Sequence, residues 1–360
     1  MSDDVYKRLA RVLDTLPNGF PETETGVELK LLKMIFEPED AELFMDLRLS
    51  FETPEQIAQR TGRPLEGLDE HLKKMWEKGQ IFGVDFGTTR VYRMVPWVFG
   101  IFEFQLKHMT REFAQLCKEY EPYFGPQFFE SKVPLMNVVP VEQAVDSNET
   151  VMPFEQVSAI IEKGQSFAVN ECICKKEQAL LGNPCDRPLE VCLAIAPVPG
   201  VFDNHPLKAR PITKDEAYDI LKMSEEKALV HLTSNVQNGH YFICNCCGCC
   251  CGVLRGAKEY GGAKSINSNY YAVIDADECV SCGICAEERC QMDAIDQGDD
   301  AYHVNRDKCI GCGLCVTTCP SGAIKLVRKD DKEIIMPPKD EADWYSKRAE
   351  MRGVDYSKFA

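Results

Sequence analysis

The distribution of the cysteines constrains this chain more than any other feature of its sequence. Of 19 cysteines in 360 residues, 18 lie between Cys172 and Cys319, and Cys117 is the exception. The first ten residues carry two acids and no apolar stretch of a secretory leader, and no run of about 18 apolar residues could span a membrane. We therefore expect a cytoplasmic protein, in which clustered cysteines indicate metal binding or catalysis rather than disulfides.

The last part of the cysteine-rich region is an internal repeat. The segment Tyr271–Cys279 returns thirty residues later as Ala301–Cys309. Each copy is predicted to run through a strand, a cysteine loop and a short helix to an Ala-Ile step, at Ala294-Ile295 and at Ala323-Ile324. A repeat of this kind indicates one structural unit that is used twice.

Each copy carries four cysteines at the spacing of iron–sulfur ligands. The second copy reads C-x2-C-x2-C-x3-C-P over Cys309–Pro320, which is the run that binds a [4Fe–4S] cluster in bacterial ferredoxins. The first copy reads C-x2-C-x2-C-x4-C over Cys279–Cys290, with one extra residue before the last cysteine and Gln291 in place of the proline. Residues 271–328 thus resemble a two-cluster ferredoxin.

The resemblance implies that the two copies exchange ligands. In such ferredoxins the fourth cysteine of each run ligates the cluster of the other copy. One cluster would then be bound by Cys279, Cys282, Cys285 and Cys319. The other would be bound by Cys309, Cys312, Cys315 and Cys290. Zinc and structural thiols are the alternatives, but zinc sites usually pair two C-x-x-C units across a longer insert.

Ten further cysteines form a second set, in two stretches of the chain. The first stretch holds Cys172, Cys174, Cys185 and Cys192. The second holds Cys244, Cys246, Cys247, Cys249, Cys250 and Cys251. These last six cannot all reach one cubane, because neighbouring residues point in different directions. A third iron–sulfur cluster, zinc or another structural metal, and unmetallated thiols are the three alternatives. Our first choice of ligands is the first stretch, with the second covering or completing the site.

The second stretch has three local features of interest. Its Cys246-Cys247-Gly248 element slightly resembles the cysteine-rich modules of heterodisulfide-reductase-type proteins, but the spacing to other cysteines differs and implies no residue role. Gly248 and Gly252 predict a loop that enters a helix near Val253, where N–H groups would favour thiolates. His240 lies four residues before Cys244 and is either a further ligand of the same site or a histidine of the core or surface.

The cysteine-poor N-terminal part is predicted to contain helices and one hairpin. The capping box Thr53–Gln56 opens a short helix that ends near Arg60. A second helix is predicted from apolar residues at helical spacing, namely Leu65, Leu68, Leu72, Met75 and Trp76, with Gly79 at its C-cap. Two strand-like runs follow, over 80–86 and 90–95. Residues of about 20–98 therefore resemble a winged helix, and one more helix is expected over 100–120.

These patterns predict an α+β, multidomain chain. Its four parts are a winged-helix-like domain plus an extra helix (1–130), a cysteine-rich α+β domain (131–270), a ferredoxin-like domain with two [4Fe–4S] clusters (271–328) and a charged, peripheral tail (329–360). In the middle domain, helices are predicted over Phe154–Lys163 and Asp215–Lys227. Strands are predicted there over Ser166–Val169 and Leu229–Leu232.

Charge narrows the class of partner. The net charge is −16, and the first turn of the second helix carries Glu66, Asp69 and Glu70, which would repel phosphate. We therefore expect no DNA partner. The ferredoxin-like part has ten acids against five bases, an excess that suits a basic redox partner or is simply a solvated surface.

The sequence favours an iron–sulfur electron-transfer protein of an anaerobe. It would relay single electrons between a donor and an acceptor, as a component of an oxidoreductase system. Its cofactors would be two [4Fe–4S] clusters, with a third iron–sulfur cluster or zinc in the second cysteine set. Two alternatives stay open: a redox-sensing winged-helix regulator, and a reductase that uses the cysteines of residues 172–251. No catalytic residue is predicted, and whether the chain is itself an enzyme is left open.

Overall fold

A computed structural model describes residues 2–129, 132–147, 151–203, 205–207 and 209–360. The predicted domain boundary between residues 130 and 131 lies outside these ranges. Within them, helices and strands both occur in number, as expected for an α+β chain. None of the described helices is both long enough and apolar enough to cross a membrane.

The N-terminal part consists of helices around one hairpin. Its helices are α1 Ser2–Thr15, α2 Val27–Ile35, α3 Pro38–Phe44, α4 Pro54–Thr61, α5 Leu68–Glu77, α6 Phe102–Phe104 and α7 Arg111–Phe129. Its strands are β1 Phe82–Asp85 and β2 Arg90–Arg93, which pair antiparallel. The order of α4, α5 and the hairpin agrees with the predicted order, while the winged-helix assignment itself stays a prediction.

Local sequence signals explain where these helices begin. The capping box at α4 is present, since Thr53 accepts from the Gln56 N–H and the Gln56 side chain accepts from the Thr53 N–H. Leu65 precedes α5 and is 49% exposed, so it does not join the predicted apolar face. The single helix predicted over 100–120 is wrong, because the Thr110 hydroxyl accepts from the Phe113 N–H and starts α7 as a separate helix.

The middle part is a seven-stranded sheet with helices. Its strands are β3 Met136–Val138, β4 Ser166–Glu171, β5 Glu190–Ala196, β6 Arg210–Ile212, β7 Val230–Ser234, β8 Phe242–Cys246 and β9 Ile266–Asn267. Their order in the sheet is β6-β4-β5-β8-β7-β3-β9, with β3 and β9 parallel and the other pairs antiparallel. Its helices are α8 Val157–Glu162, α9 Ile173–Leu180, α10 Lys214–Glu226 and α11 Gly252–Gly256.

One face of this sheet is covered by α8 and α10. Ile160 and Ile161 from α8 and Ile220 and Leu221 from α10 pack on apolar side chains of β4, β5 and β8, with all of these residues buried. The Thr213 hydroxyl accepts from the Glu216 N–H and fixes the start of α10, one residue before the predicted start. The sheet therefore holds β5 and β8 rigidly beside each other, and both strands carry cysteines.

The C-terminal repeat forms two small sheets. Its strands are β10 Tyr270–Ile274, β11 Ile295–Gln297, β12 Tyr302–Val304 and β13 Ile324–Arg328. β10 pairs antiparallel with β13, and β11 pairs antiparallel with β12. The first strand of each copy therefore pairs with the last strand of the other, which joins the two copies into one module.

The tail does not lie at the periphery. Its helix α12, Glu341–Arg352, buries Trp344, Tyr345 and Arg348. The Arg348 guanidinium, which is fully buried, donates to the Asn18 side chain at 3.1 Å and lies 5.1 Å from the centre of the Phe128 ring. The tail is thus part of the main core, where it packs on the N-terminal part.

We expect Trp344→Ala to lower the free energy of unfolding by about 3–5 kcal/mol, since it empties a large buried volume and removes a hydrogen bond. The indole is 6% exposed, and its N–H donates to the Pro134 carbonyl at 3.0 Å. Anaerobic urea unfolding measures the loss. Met336→Ala, in the same tail but 48% exposed, is the matched control and should change little. Equal midpoints for the two variants would mean that the tail is not docked.

Candidate metal centres

Four cysteines from both copies of the repeat line one cavity. The cavity is partly open to solvent. Its cysteines are Cys279, Cys282, Cys285 and Cys319. Apolar side chains such as Ile274 and Ile324 form much of the remaining wall. A cavity walled by four thiols and by apolar groups suits an iron–sulfur cluster, whose ligands are thiolates.

The other four cysteines of the repeat also lie close together. The pKa of Cys312 is raised to about 12, mainly by burial of the thiol. The negative charges of Cys290 and Cys309 raise it further. The pKa of Cys315 is raised well above its usual value by burial, then by Cys312, Cys309 and Cys290, and last by Cys285. Thiols that repel one another in this way need a cation or a cluster to be held as thiolates.

Backbone geometry brings N–H groups towards these sulfurs. The Ala272 N–H donates to Cys309 Sγ at 3.5 Å, and the Ala294 N–H donates to Cys290 Sγ at 3.3 Å. Gly311 has a φ of +62°, and a Cβ there would lie 2.2 Å from the Tyr270 carbonyl oxygen. Only glycine therefore fits in this loop. Such hydrogen bonds to sulfur are among the factors that set the potential of a bound cluster.

The two cysteine loops differ in exposure at equivalent positions. Val280, which follows the first cysteine of the first loop, is 64% exposed, whereas Ile310 at the same place in the second loop is 3% exposed. The second loop packs on the middle part, where the Val141 N–H donates to the Cys312 carbonyl at 3.0 Å. One end of the module therefore faces solvent and the other faces the rest of the protein.

The residue that departs from the ferredoxin pattern makes a contact between the two cysteine sets. Gln291, which follows Cys290, accepts a hydrogen bond through its side chain from the Gly248 N–H at 2.9 Å. A Cβ at Gly248 would lie 2.1 Å from the Gln291 carbonyl oxygen, so the two backbones touch. Both residues are buried. A proline at position 291 would lack this side-chain acceptor, which gives the departure a physical reason.

The second cysteine set divides into two groups, each drawing on both stretches. The first group, called here the six-cysteine ring, has thiols that each interact with two others. Its closed order is Cys172, Cys174, Cys251, Cys246, Cys244, Cys192 and back to Cys172. The second group, called here the quartet, is Cys185, Cys247, Cys249 and Cys250. The four ligands of our first choice all belong to one packed core, but thiol–thiol contacts divide them: Cys185 lies with the quartet and the other three lie in the ring.

The sheet and two helix starts position the six-cysteine ring. The register that pairs Leu193 with Ile243 places Cys192 opposite Cys244, one step further along β5 and β8. Cys246 lies two residues on and faces the same side. Cys172 and Cys251 are the N-cap residues of α9 and α11, where free N–H groups and the helix dipole favour thiolates.

Acidities alternate around the six-cysteine ring. Hydrogen bonding with Cys174 and Cys192 lowers the pKa of Cys172 to about 3. Hydrogen bonding with Cys192 and Cys246 lowers the pKa of Cys244 to about 6, and the pKa of Cys251 is lowered by Cys174 and Cys246. The same contacts raise the pKa of the three members in between, Cys174, Cys192 and Cys246. Neighbouring thiols of the ring therefore share protons, which a metal ion or cluster would replace when the thiolates bind it.

The quartet is more compact than the ring. Its four sulfur atoms all lie within 4.8 Å of one another. Cys249 Sγ lies 3.7 Å from Cys185 Sγ and 3.7 Å from Cys250 Sγ. Burial opposes ionisation of Cys249, but hydrogen bonds with Cys247, Cys185 and Cys250, and then the charge of Arg187, lower its pKa.

Two further residues, His240 and Cys117, lie outside the cysteine groups that the structure describes. His240 Nδ1 lies 3.2 Å from the Thr233 hydroxyl, and burial lowers the pKa of this histidine to about 4. Among the described residues it belongs to neither cysteine group. Cys117 lies within α7, and burial raises its pKa well above the usual value, as expected for an inert thiol.

Two arginines near these sites make hydrogen bonds that no sequence pattern predicts. The Arg289 guanidinium donates to the carbonyl of Leu314 at 3.1 Å, and to those of Glu226 at 3.1 Å and Glu225 at 2.8 Å in the middle part. Arg187 donates to the carbonyl of Ala228 at 2.9 Å. Neither contact follows from spacing, because the partners are distant in the chain.

One comparison with known proteins bears on the repeat. Residues 272–326 match a family model described as a 4Fe-4S dicluster domain. This match confirms the prediction of a ferredoxin-like iron–sulfur module. No curated protein and no solved structure matches the chain.

Proposed function

We propose that this chain is an electron-transfer protein that relays single electrons between redox partners, as a component of an oxidoreductase system. The observation that carries the proposal is the 4Fe-4S dicluster domain at residues 272–326. When bound, a [4Fe–4S] cluster supplies a centre that gains and loses one electron. The residues of the chain hold such centres, adjust their surroundings and provide the surfaces at which partners dock.

We assign the eight cysteines of the module to two sites. The site at the solvent-facing end is Cys279, Cys282, Cys285 and Cys319, and its support is the cavity that these four residues line. The site at the inner end is Cys309, Cys312, Cys315 and Cys290, and its support is the mutual effect of these thiols on their pKa values. Both assignments follow the exchange of ligands that the ferredoxin resemblance implies.

The solvent-facing end is the proposed docking surface for a partner. Cys282 is exposed, and its neighbour Val280 presents an apolar side chain to solvent. Asp275, Asp277 and Glu278, which precede Val280 in the chain, are exposed acids, and the module as a whole carries ten acids against five bases. An apolar contact on an acidic module suits a basic redox protein.

The inner end connects the module to the second cysteine set. The hydrogen bond between Gln291 and Gly248 fixes the distance between Cys290 and the Cys246–Cys249 segment. We propose that the six-cysteine ring binds a third iron–sulfur cluster. Support comes from the contacts that join its six thiols and from the burial of Cys172, Cys246 and Cys251.

Electron transfer to a basic c-type cytochrome tests the function. The protein, purified without oxygen and reduced with a limited amount of dithionite, should reduce at least two equivalents of cytochrome per chain, one for each cluster of the module. Delivery of no electrons by a protein that holds its iron would refute the relay.

Salt should slow this reaction. Because the acids of the module attract the basic cytochrome, the second-order rate constant should fall about tenfold or more between 0.01 M and 0.5 M NaCl. A neutral acceptor such as a quinone analogue is the control and should show a much weaker dependence. A rate that is equal at both salt concentrations would place the docking surface elsewhere.

A further inference from the structure

The quartet has the dimensions of a site for a single metal ion. In a tetrahedral zinc–thiolate site the Zn–S bond is about 2.3 Å, which sets neighbouring sulfurs about 3.8 Å apart. The distances from Cys249 Sγ to Cys185 Sγ and to Cys250 Sγ are both 3.7 Å. The remaining sulfur pairs of the quartet lie within 4.8 Å.

The distances between sulfur atoms also distinguish the quartet from the other cysteines. A cubane binds each thiolate through a different iron, so its ligand sulfurs stand farther apart than those around one ion. Within the ranges that the structure describes, no other three Cys, His, Asp or Glu side chains have ligand atoms that are all within 4.8 Å of one another. The module and the six-cysteine ring thus have open arrangements, and the quartet alone among described residues is closed.

Few apolar side chains pack around the quartet, so a bound metal ion would add stability there. The small core that contains Cys247 and Cys250 has few aliphatic members, Val191, Leu229 and Met223, and its other members are cysteines. Cys185 lies in the loop between α9 and β5, which contains no helix or strand, and 64 residues separate it from Cys249. Because so little apolar surface is buried here, packing alone stabilises this contact weakly. Small domains with a similarly small core often depend on a structural metal.

Charge and ligand number also fit one divalent ion. Four thiolates and one Zn²⁺ carry a net charge of −2, and the nearby Arg187 offsets part of it. Arg187 is itself fixed, since its guanidinium donates to the carbonyls of Ala228 at 2.9 Å and Lys227 at 3.2 Å. Four protein ligands leave no open position, which is typical of structural rather than catalytic zinc.

We propose that Cys185, Cys247, Cys249 and Cys250 bind one zinc ion, which ties the loop between α9 and β5 to the turn between β8 and α11. This site is distinct from the iron–sulfur centres of the proposed function. It holds the turn from which Gly248 contacts the ferredoxin-like module.

Metal analysis of the full chain, produced without oxygen in medium with iron and zinc, tests the assignment. The unaltered protein should hold one zinc, and Cys185→Ala should lose that zinc while its iron content stays unchanged. Cys185→His should keep the zinc, because Cys₃His is also a common structural zinc set. Cys117→Ala, outside all cysteine groups, is the control.

Two results would overturn the proposal. If Cys185→Ala lost about four iron atoms and no zinc, the quartet would hold a cubane instead. If the unaltered protein contained no zinc, the quartet would be free thiols or an iron site. Should Cys185→Ala fail to fold, replacing zinc by Co²⁺ in the unaltered protein and in Cys185→His decides the matter, because tetrahedral cobalt–thiolate bands must appear and must shift with the changed ligand. Neither the metal contents nor the cobalt absorption bands depend on electron transfer by the module.

Discussion

A Cys315→Ala variant prepared without oxygen should lose about four of the eight iron atoms that the module is proposed to hold, because each [4Fe–4S] cubane contains four. Cys315 is 8% exposed, and its thiol lies among those of Cys312, Cys309 and Cys290. Neither solvent nor another side chain can readily take the place of a ligand buried this deeply. The inner site therefore loses its cluster, whereas the outer site keeps Cys279, Cys282, Cys285 and Cys319.

Iron and acid-labile sulfide per chain, with the paramagnetic signal after dithionite reduction, measure this effect. Cys117→Ala provides the matched control, since Cys117 is a half-buried thiol outside every cysteine group, and its iron content should equal that of the unaltered protein. Cys319→Ala should instead remove the outer cluster. An undiminished iron content in Cys315→Ala would show that the inner site is assigned to the wrong residues.

Arg289→Met should weaken the attachment of the module to the middle part of the protein. The side chain of Arg289 is 7% exposed and joins the second cysteine loop, through Leu314, to the last carbonyls of α10, those of Glu225 and Glu226. A cation at this end of a helix also stabilises its dipole. Removing three hydrogen bonds of a charged donor and leaving buried carbonyls unpaired should cost about 3 kcal/mol or more.

Anaerobic urea unfolding with two probes can locate this loss. Visible absorbance follows the iron–sulfur module, and tryptophan fluorescence follows Trp76, Trp97 and Trp344, which lie outside it. We expect the absorbance transition of Arg289→Met to move to lower urea. Lys325→Gln, an exposed position on β13, serves as the control and should leave it in place. If Arg289→Met unfolds like this control, the guanidinium does not connect the two parts.

The module could be predicted from the sequence because its chemistry is local. Three of the four cysteines in each run lie within seven residues, for example Cys309 to Cys315, so spacing alone identifies the loop. The helix start at Thr53 could be predicted for the same reason, since a capping side chain reaches only two or three residues. The family match at residues 272–326 agrees with that part of the prediction.

The division of the second cysteine set could not be predicted, because it depends on how distant strands pair. Cys192 lies opposite Cys244 only in the register of β5 and β8, and sequence spacing contains no information about that register. The same holds for Cys185, which lies next to a residue 64 positions away. Gln291 was visible as a departure from the ferredoxin pattern, but its partner Gly248 became known only from the fold.

The number of iron atoms and inorganic sulfides per chain, with the paramagnetic signal on reduction, tests the central claim most directly. The proposed function predicts a brown protein with at least about eight of each per chain, about twelve if the six-cysteine ring also holds a cubane, and a signal after dithionite treatment. An anaerobically prepared protein that is colourless, contains no inorganic sulfide and gives no such signal would contradict it.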